Sequence, residues 1–334
     1  MNKTTHTLRR LLAAVLACTL GAAGLTGCTG GDAADGEQVV IYSNADDEAV
    51  ESLKRTLDAG GYAGKYLFQS FGTSELGGKL LAEGADIEAD IVTMSSYYLD
   101  SAQTQNQMFL DLTFPVNTMD EYPSFYAPFI GNQGALLVNT QVLEEKGLDL
   151  PASVADLAKP EYAGNISVVD IQGSSTAWLM IQSLVDAYGE DGAKELLTDI
   201  YANAGAHLEQ SGSAPIKKVR AGEVAIGFGL RHQAVADKVS GLPIDFVDPA
   251  EGNYTLTESL AVVDKGENTN PLAMEMVQYI VENGRADLMQ NYPVPLYEGE
   301  TADENALSAN SKVFPEPLTV ELLKKHQELS ESCK

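Results

Sequence analysis

Three cysteines, four histidines and 21 basic residues are few for a chain of 334, and each shortage removes a class of function. The cysteines, Cys18, Cys28 and Cys333, form no cluster, so neither a zinc centre nor a redox pair is written in the sequence. The histidines, His6, His207, His232 and His326, include no His-Glu-x-x-His pattern. No phosphate loop ends in Gly-Lys-Ser/Thr, and no Gly-x-Ser-x-Gly elbow is present. His207 falls in a predicted strand and His326 on a charged C-terminal helix, both without catalytic company. A serine hydrolase would therefore need His232 as its base, and we read the chain as a non-enzyme that calls for no cofactor and no metal. Against 21 Lys and Arg stand 48 Asp and Glu, a net charge of −27. Such a surface repels phosphate backbones and anionic lipid heads, which excludes nucleic acid as a partner. Beyond the N-terminus no run is long and apolar enough to span a bilayer.

What is present begins with an ordered leader. Lys3, Arg9 and Arg10 precede an apolar stretch over 11–20, which is followed by small residues and by Leu25-Thr26-Gly27-Cys28. The order is that of a secretory signal, and its apolar core is too short to cross a membrane. The last four residues resemble the lipobox of bacterial lipoproteins, in which the cysteine becomes the lipidated first residue. That resemblance implies a signal peptide over 1–27, lipidation at Cys28, and a protein held on the extracytoplasmic face of the cell membrane by its lipid alone. Removal of the leader takes Cys18 with it, so Cys333 has no partner for an intrachain disulfide. The tract "TGGDAADGEQ" that follows has nothing to bury, and 28–37 reads as a flexible tether.

The remaining chain of about 300 residues is long enough for roughly two cored domains. Predicted strands and helices alternate: "QVVIYS", then "DDEAVESLKRTLDAGG", with Ala49, Val50, Leu53 and Leu57 on one helical face. "KYLFQSF" and "SELGGKLLAEG" repeat the pair, and "ADIVTM" and "SSYYLDSAQTQNQM" repeat it again. A βαβαβ run implies a parallel sheet covered by helices, whose ligands bind beyond the C-terminal strand ends.

Those ends carry a series of small polar residues. Ser43 and Asn44 follow the first strand, Thr73 and Ser74 the second, and Ser95 and Ser96 the third. The second half repeats the habit with Ser174-Ser175-Thr176 after "NISVVDIQG", and with Ser211 and Ser213 before a predicted helix over 214–221. Each alone is an ordinary helix cap. Five such groups in register point to a common cleft in which hydroxyls and free helix N–H groups meet a small polar or anionic ligand. A purely structural surface lipoprotein would leave this register unexplained.

The stretches "VVIYSNADDEAVESL", "FGTSELGGKLLAEGADIEADIV", "QSGSAPIKKVRAGEVAIGFGLRHQAV", "GLPIDFVDPAEGNYTLTESLAVV" and "ENTNPLAMEMVQYIVENG" together resemble the solute-binding lipoproteins of bacterial ABC importers with the type 2 periplasmic binding fold. The branch that includes ferric-ion, phosphonate and sugar-phosphate binders is the most similar. The resemblance implies a two-domain α/β architecture, with mixed, mostly parallel sheets joined by two hinge strands near 134–139 and 257–263. The first domain would comprise 38–135 plus 260–334, and the second 136–259. It also implies a monomer that hands its solute to ABC permease subunits. Ferric members carry neighbouring tyrosines after the strand written here as "EVAIGFG", and a His soon after the first strand. Leu230-Arg231-His232 and "SNADD" stand at those places instead. Arg231 would repel a ferric ion and attract a phosphoryl or carboxyl group, so the expected solute is a small anion, a phosphonate or phosphate ester, with Arg231 and His232 among its ligands. Ferric iron is the alternative, and Tyr97-Tyr98 is the pair that would serve it.

Overall fold

The computed structural model describes residues 38–302 and 306–334. The leader, the tether and Cys28 lie outside them. No helix among the described residues is long and apolar enough to cross a membrane.

The first lobe opens with β1 (Val39–Ser43), α1 (Asp47–Ala59), β2 (Tyr66–Ser70), α2 (Thr73–Glu83), β3 (Ile91–Ser95) and α3 (Ser96–Asn106). Strands β2, β1 and β3 run parallel in that order, and β3 is buried along its whole length, as expected when helices cover both faces of a sheet. Helix α1 begins where the Asp46 side chain accepts from the Ala49 N–H and buries Ala49, Val50, Leu53 and Leu57, the face anticipated from their spacing.

A 14-residue strand, β4 (Tyr126–Asn139), leads to α4 (Thr140–Lys146), β5 (Ile166–Val169), α5 (Thr176–Ala204), β6 (Leu208–Glu209), α6 (Ala214–Arg220), β7 (Ile226–Leu230), α7 (Arg231–Val239) and β8 (Ile244–Val247). Strand β9 (Asn253–Val262) returns, followed by α8 (Pro271–Asn283), α9 (Arg285–Leu288), β10 (Ser311–Lys312) and α10 (Val320–Glu331). The sheet order is β2-β1-β3-β9-β4-β7-β5-β6, with β8 on β4 and β10 on β9. Antiparallel β9 and β4 thus join a parallel trio on one side to the β7-β5-β6 set on the other.

The crossing is sharply placed. Strand β4 pairs with β9 from Tyr126 to Gln133 and with β7 from Gly134 onward. Asn253 Nδ2 donates to the Gly134 carbonyl at 2.7 Å, fixing the two strands where the partner changes. Of the stretches expected as hinges, 134–139 begins at this point and 257–263 lies a few residues past it on β9. The former pairs with β7 and β8, and most of the latter runs between β3 and β4.

The C-terminal segment, expected with the first lobe, packs chiefly on the second. Helix α10 lies against α5 and touches α3. Trp178 of α5 donates its indole N–H to His326 Nδ1 at 2.6 Å, and Lys334 pairs with Asp170 at 2.7 Å. Further back, the Arg231 guanidinium holds the carbonyls of Ala306 and Leu307.

Candidate functional site

A cavity of about 380 Å³ opens between the strand ends of the two lobes. Asn44 and Thr73 reach it from the first lobe, and Ser174, Ser175, Thr176, Ser211 and Ser213 from the second. Seven of the side chains picked out by their strand-end positions are therefore brought to one space. Asn44 Nδ2 donates to Thr73 Oγ1 at 3.2 Å and to Glu258 Oε1 at 3.3 Å.

The second-lobe wall is built by two loops in backbone contact. A Cβ placed on Gly173 would lie 2.4 Å from the Gln210 carbonyl, and one on Gly212 would lie 2.3 Å from Thr176 Oγ1. Only glycine lets the loops approach so closely. Ser175 occupies the N-cap of α5 yet makes no side-chain capping bond, and it is 8% exposed. Ser174 Oγ has only 3.4 Å contacts, with the Thr176 N–H and Thr176 Oγ1. The hydroxyls are thus held at the mouth of the helix without being consumed by it. Lys217 joins this wall with no ion-pair partner among the described residues, whereas Arg220 pairs with Asp237 at 2.6 Å.

The opposite wall is acidic, with Asp46, Asp47, Glu48 and Glu258 lining it. Burial opposes the Asp46 charge, but His232, with Nε2 3.5 Å from Asp46 Oδ2, the Tyr292 hydroxyl and the Ala49 N–H outweigh it and hold the carboxyl below its usual range. Glu258 has the reverse balance. Burial first, and then the Asp46 charge, push its pKa up to about 8, so it carries a proton at neutral pH.

The other expected residues do not line the cavity. Arg231 is 4% exposed and does not line the cavity: it forks onto Asp248 at 2.8 and 3.2 Å, holds two carbonyls and stacks on Phe246, 4.3 Å from the ring centroid. His232 sits behind the wall, between Asp46 and Tyr292. Ser43 Oγ accepts from Thr93 Oγ1 at 2.7 Å and from the Ala45 N–H. Ser96 Oγ lies 2.8 Å from Ser259 Oγ and donates to the Thr257 carbonyl. Ser74 meets the Tyr98 hydroxyl. Ser95 is fully buried, its hydroxyl unpartnered. Tyr97 and Tyr98 pack on each other at 4.7 Å, and Tyr97 meets Trp178 edge-on at 5.0 Å. Among the described residues no group of three His, Cys, Asp or Glu side chains is placed to hold a metal ion.

Sequence reasoning missed Asp46, Asn132, Lys217, Gln233 and Glu258. One signal was available for Glu258: a lone carboxylate in "TLTESLAVV", a strand otherwise fit for burial. Nothing local marked Lys217 or Gln233, which reach the cavity only because α6 and α7 turn a side toward it.

The family model described as bacterial extracellular solute-binding protein matches residues 93–315. An uncharacterized protein of Haemophilus influenzae is 30% identical over 140 residues, covering 41% of this chain and 39% of that one. The spermidine/putrescine-binding periplasmic protein of Escherichia coli is 22% identical over 277 residues, 77% of each chain. Among solved structures, the periplasmic binding protein AfuA from Actinobacillus pleuropneumoniae, with fructose-6-phosphate bound, superposes with a TM-score of 0.67 at 22% identity. The match covers 83% of this chain and 88% of that one.

Proposed function

The chain belongs to the bacterial extracellular solute-binding proteins, the capture components of ABC importers and not enzymes, and from that premise we propose that its cleft takes a small phosphonate or phosphate ester. The observation that carries this reading is the start of α5. Ser174 and Ser175 stand before, and Thr176 at, the positive end of the helical stretch that runs to the kink at Gly189, the N-cap hydroxyl makes no capping bond, and Lys217 lines the same cavity with no ion-pair partner among the described residues. A phosphoryl or phosphonyl group supplies the negative charge and the acceptor oxygens that such a wall lacks. Lipidated at Cys28, the protein would act as a membrane-held monomer at the extracytoplasmic face and deliver the solute to its permease.

Calorimetric titration of phosphate esters and alkyl phosphonates into wild type, Ser175→Ala and Lys217→Ala tests this. A hydrogen bond to a charged group is worth about 1.5–3 kcal/mol, so each variant should bind at least about tenfold more weakly. Lys217 is exposed, so its removal should leave the ligand-free melting temperature unchanged. Wild-type affinity in both variants would refute the anion-binding wall.

A further inference from the structure

Glu258 is 5% exposed, and its Oε1 has a single long hydrogen bond, from Asn44 at 3.3 Å. Its Oε2 has no partner although the residue lines the cavity. A carboxyl group taken out of water and left half-satisfied is costly unless something completes it. Strand pairing places it opposite Ser95 on β3 and Ile130 on β4, with Leu256 two residues earlier on the same cavity-facing side. The charged and titratable groups around it are Asp46, the N-cap of α1, Asp47 and Glu48 from α1, Tyr97 from α3, His232 from α7, and Tyr292 after α9. None supplies a cation to Glu258, since His232 faces Asp46, and Lys217 and Arg220 stand on the far wall.

We propose that Glu258, with Asn44 beside it, is the recognition point for an ammonium group of the solute, which is therefore a zwitterion spanning the cleft from the α5 hydroxyls to β9. This deepens the reading above and rests on it for the anionic end. A hydroxyl could complete the Oε2 hydrogen bond, but it would bring no positive charge to a wall that also carries Asp46, Asp47 and Glu48. An ammonium answers both carboxyl groups at once. It would also take Glu258 from acid to carboxylate, so binding at pH 7 would release a proton to solvent.

The test titrates 3-aminopropylphosphonate, propylphosphonate, glycerol 3-phosphate and putrescine into wild type and Glu258→Gln, in buffers of different ionisation enthalpy. The glutamine mimics the protonated acid and keeps the shape of the site. The aminophosphonate should bind wild type at least about tenfold more tightly than propylphosphonate. It should release close to one proton more than propylphosphonate does at pH 7, and its preference over propylphosphonate should grow about tenfold between pH 6 and pH 7, levelling off above pH 8. Glu258→Gln should bring the two phosphonates to about equal affinity and abolish the additional proton release. Equal affinity for the two phosphonates, or tighter binding of glycerol 3-phosphate without proton release, would overturn the ammonium subsite and leave the anionic end standing. If no phosphorus compound binds, the anionic reading fails. Putrescine binding with a Glu258-dependent proton release would then still support the ammonium subsite, and its failure to bind would overturn that too.

Discussion

Replacing Arg231 by alanine should damage stability rather than capture. The guanidinium is almost wholly enclosed, with 5% of its side chain accessible, and is forked onto Asp248, whose side chain is 19% accessible. It also donates to the carbonyls of Ala306 and Leu307 and lies over Phe246. Asp248 in turn accepts from Asn253, the residue that fixes β9 to β4 at the crossing. Removing one partner of a buried pair costs about 3–5 kcal/mol, and the partial access of Asp248 to water places this case near about 3. At about 2.1 cal/mol/K for each of roughly 300 residues, the unfolding entropy is near 0.6 kcal/mol/K, so the melting temperature should fall by about 5 °C. Arg231→Lys should recover less than half of that, because one ammonium cannot reproduce the fork. Scanning calorimetry of the ligand-free protein measures the shift, and titration with the solute measures affinity, which should change little. A melting temperature within about 1 °C of wild type, with binding weakened tenfold, would refute the reasoning and return Arg231 to the cleft.

Two further outcomes are expected. Burial, and then the Lys325 charge, lower the pKa of His326 from 6.5 to about 4, so the folded protein resists a proton that the unfolded chain accepts. Stability should therefore fall as pH drops from 6.5 toward 4. By pH 4.5 the loss should be about 2–3 kcal/mol, read by denaturant titration of the fluorescence of Trp178, the sole tryptophan; an equal pH dependence in His326→Gln would sink the assignment. With Tyr97 and Tyr98 packed in the core, adding ferric citrate should give no visible phenolate-to-iron band, and a strong band lost in Tyr97→Phe would restore iron as the cargo.

The parts of the molecule legible in the sequence were those governed by local periodicity. Alternation of β-branched runs with amphipathic stretches located β1 through α3 to within a few residues, because burial on one helix face and strand enclosure are both written at short range. The strand-end rule then located Asn44, Thr73, Ser174, Ser175 and Thr176 beside one cavity without any knowledge of distance. Arg231 shows where this reasoning stops. Its position after β7 is a strand end like the others, but the acid that claims it, Asp248, and the carbonyls of Ala306 and Leu307 are 17 to 76 residues away in the chain. The crossing was blurred for a related reason: β4 changes partner at Gly134 without a turn or a break, so no local signal marks the residue. The packing of α10 on α5 is not legible, because an amphipathic helix declares which face it buries, not what it buries it against.

On the zwitterion reading proposed above, the same division makes capture depend on both walls. Asn44 and Thr73 follow strands β1 and β2, while Ser174–Thr176 follow β5, on the other side of the β4–β9 crossing. The lips come close, since a Cβ on Gly72 would lie 3.9 Å from the Gly173 carbonyl. A ligand shifts a closing equilibrium only by its differential affinity for the closed form. A solute that contacts one wall gains the same contacts whether the lobes are together or apart, and so shifts little. One that bridges from the α5 hydroxyls to Glu258 completes its contacts only when the walls face each other, and a shift from 1:99 to 99:1 needs about 5.5 kcal/mol of such preference. The wall reached first holds the solute open or closed alike, so closing gains the charge-assisted contact at the other wall, about 1.5–3 kcal/mol, which is about a 10- to 150-fold shift toward the closed form. A phosphonate without an amine should therefore bind while leaving the protein largely open, which small-angle scattering with saturating propylphosphonate against 3-aminopropylphosphonate would reveal as a difference in radius of gyration.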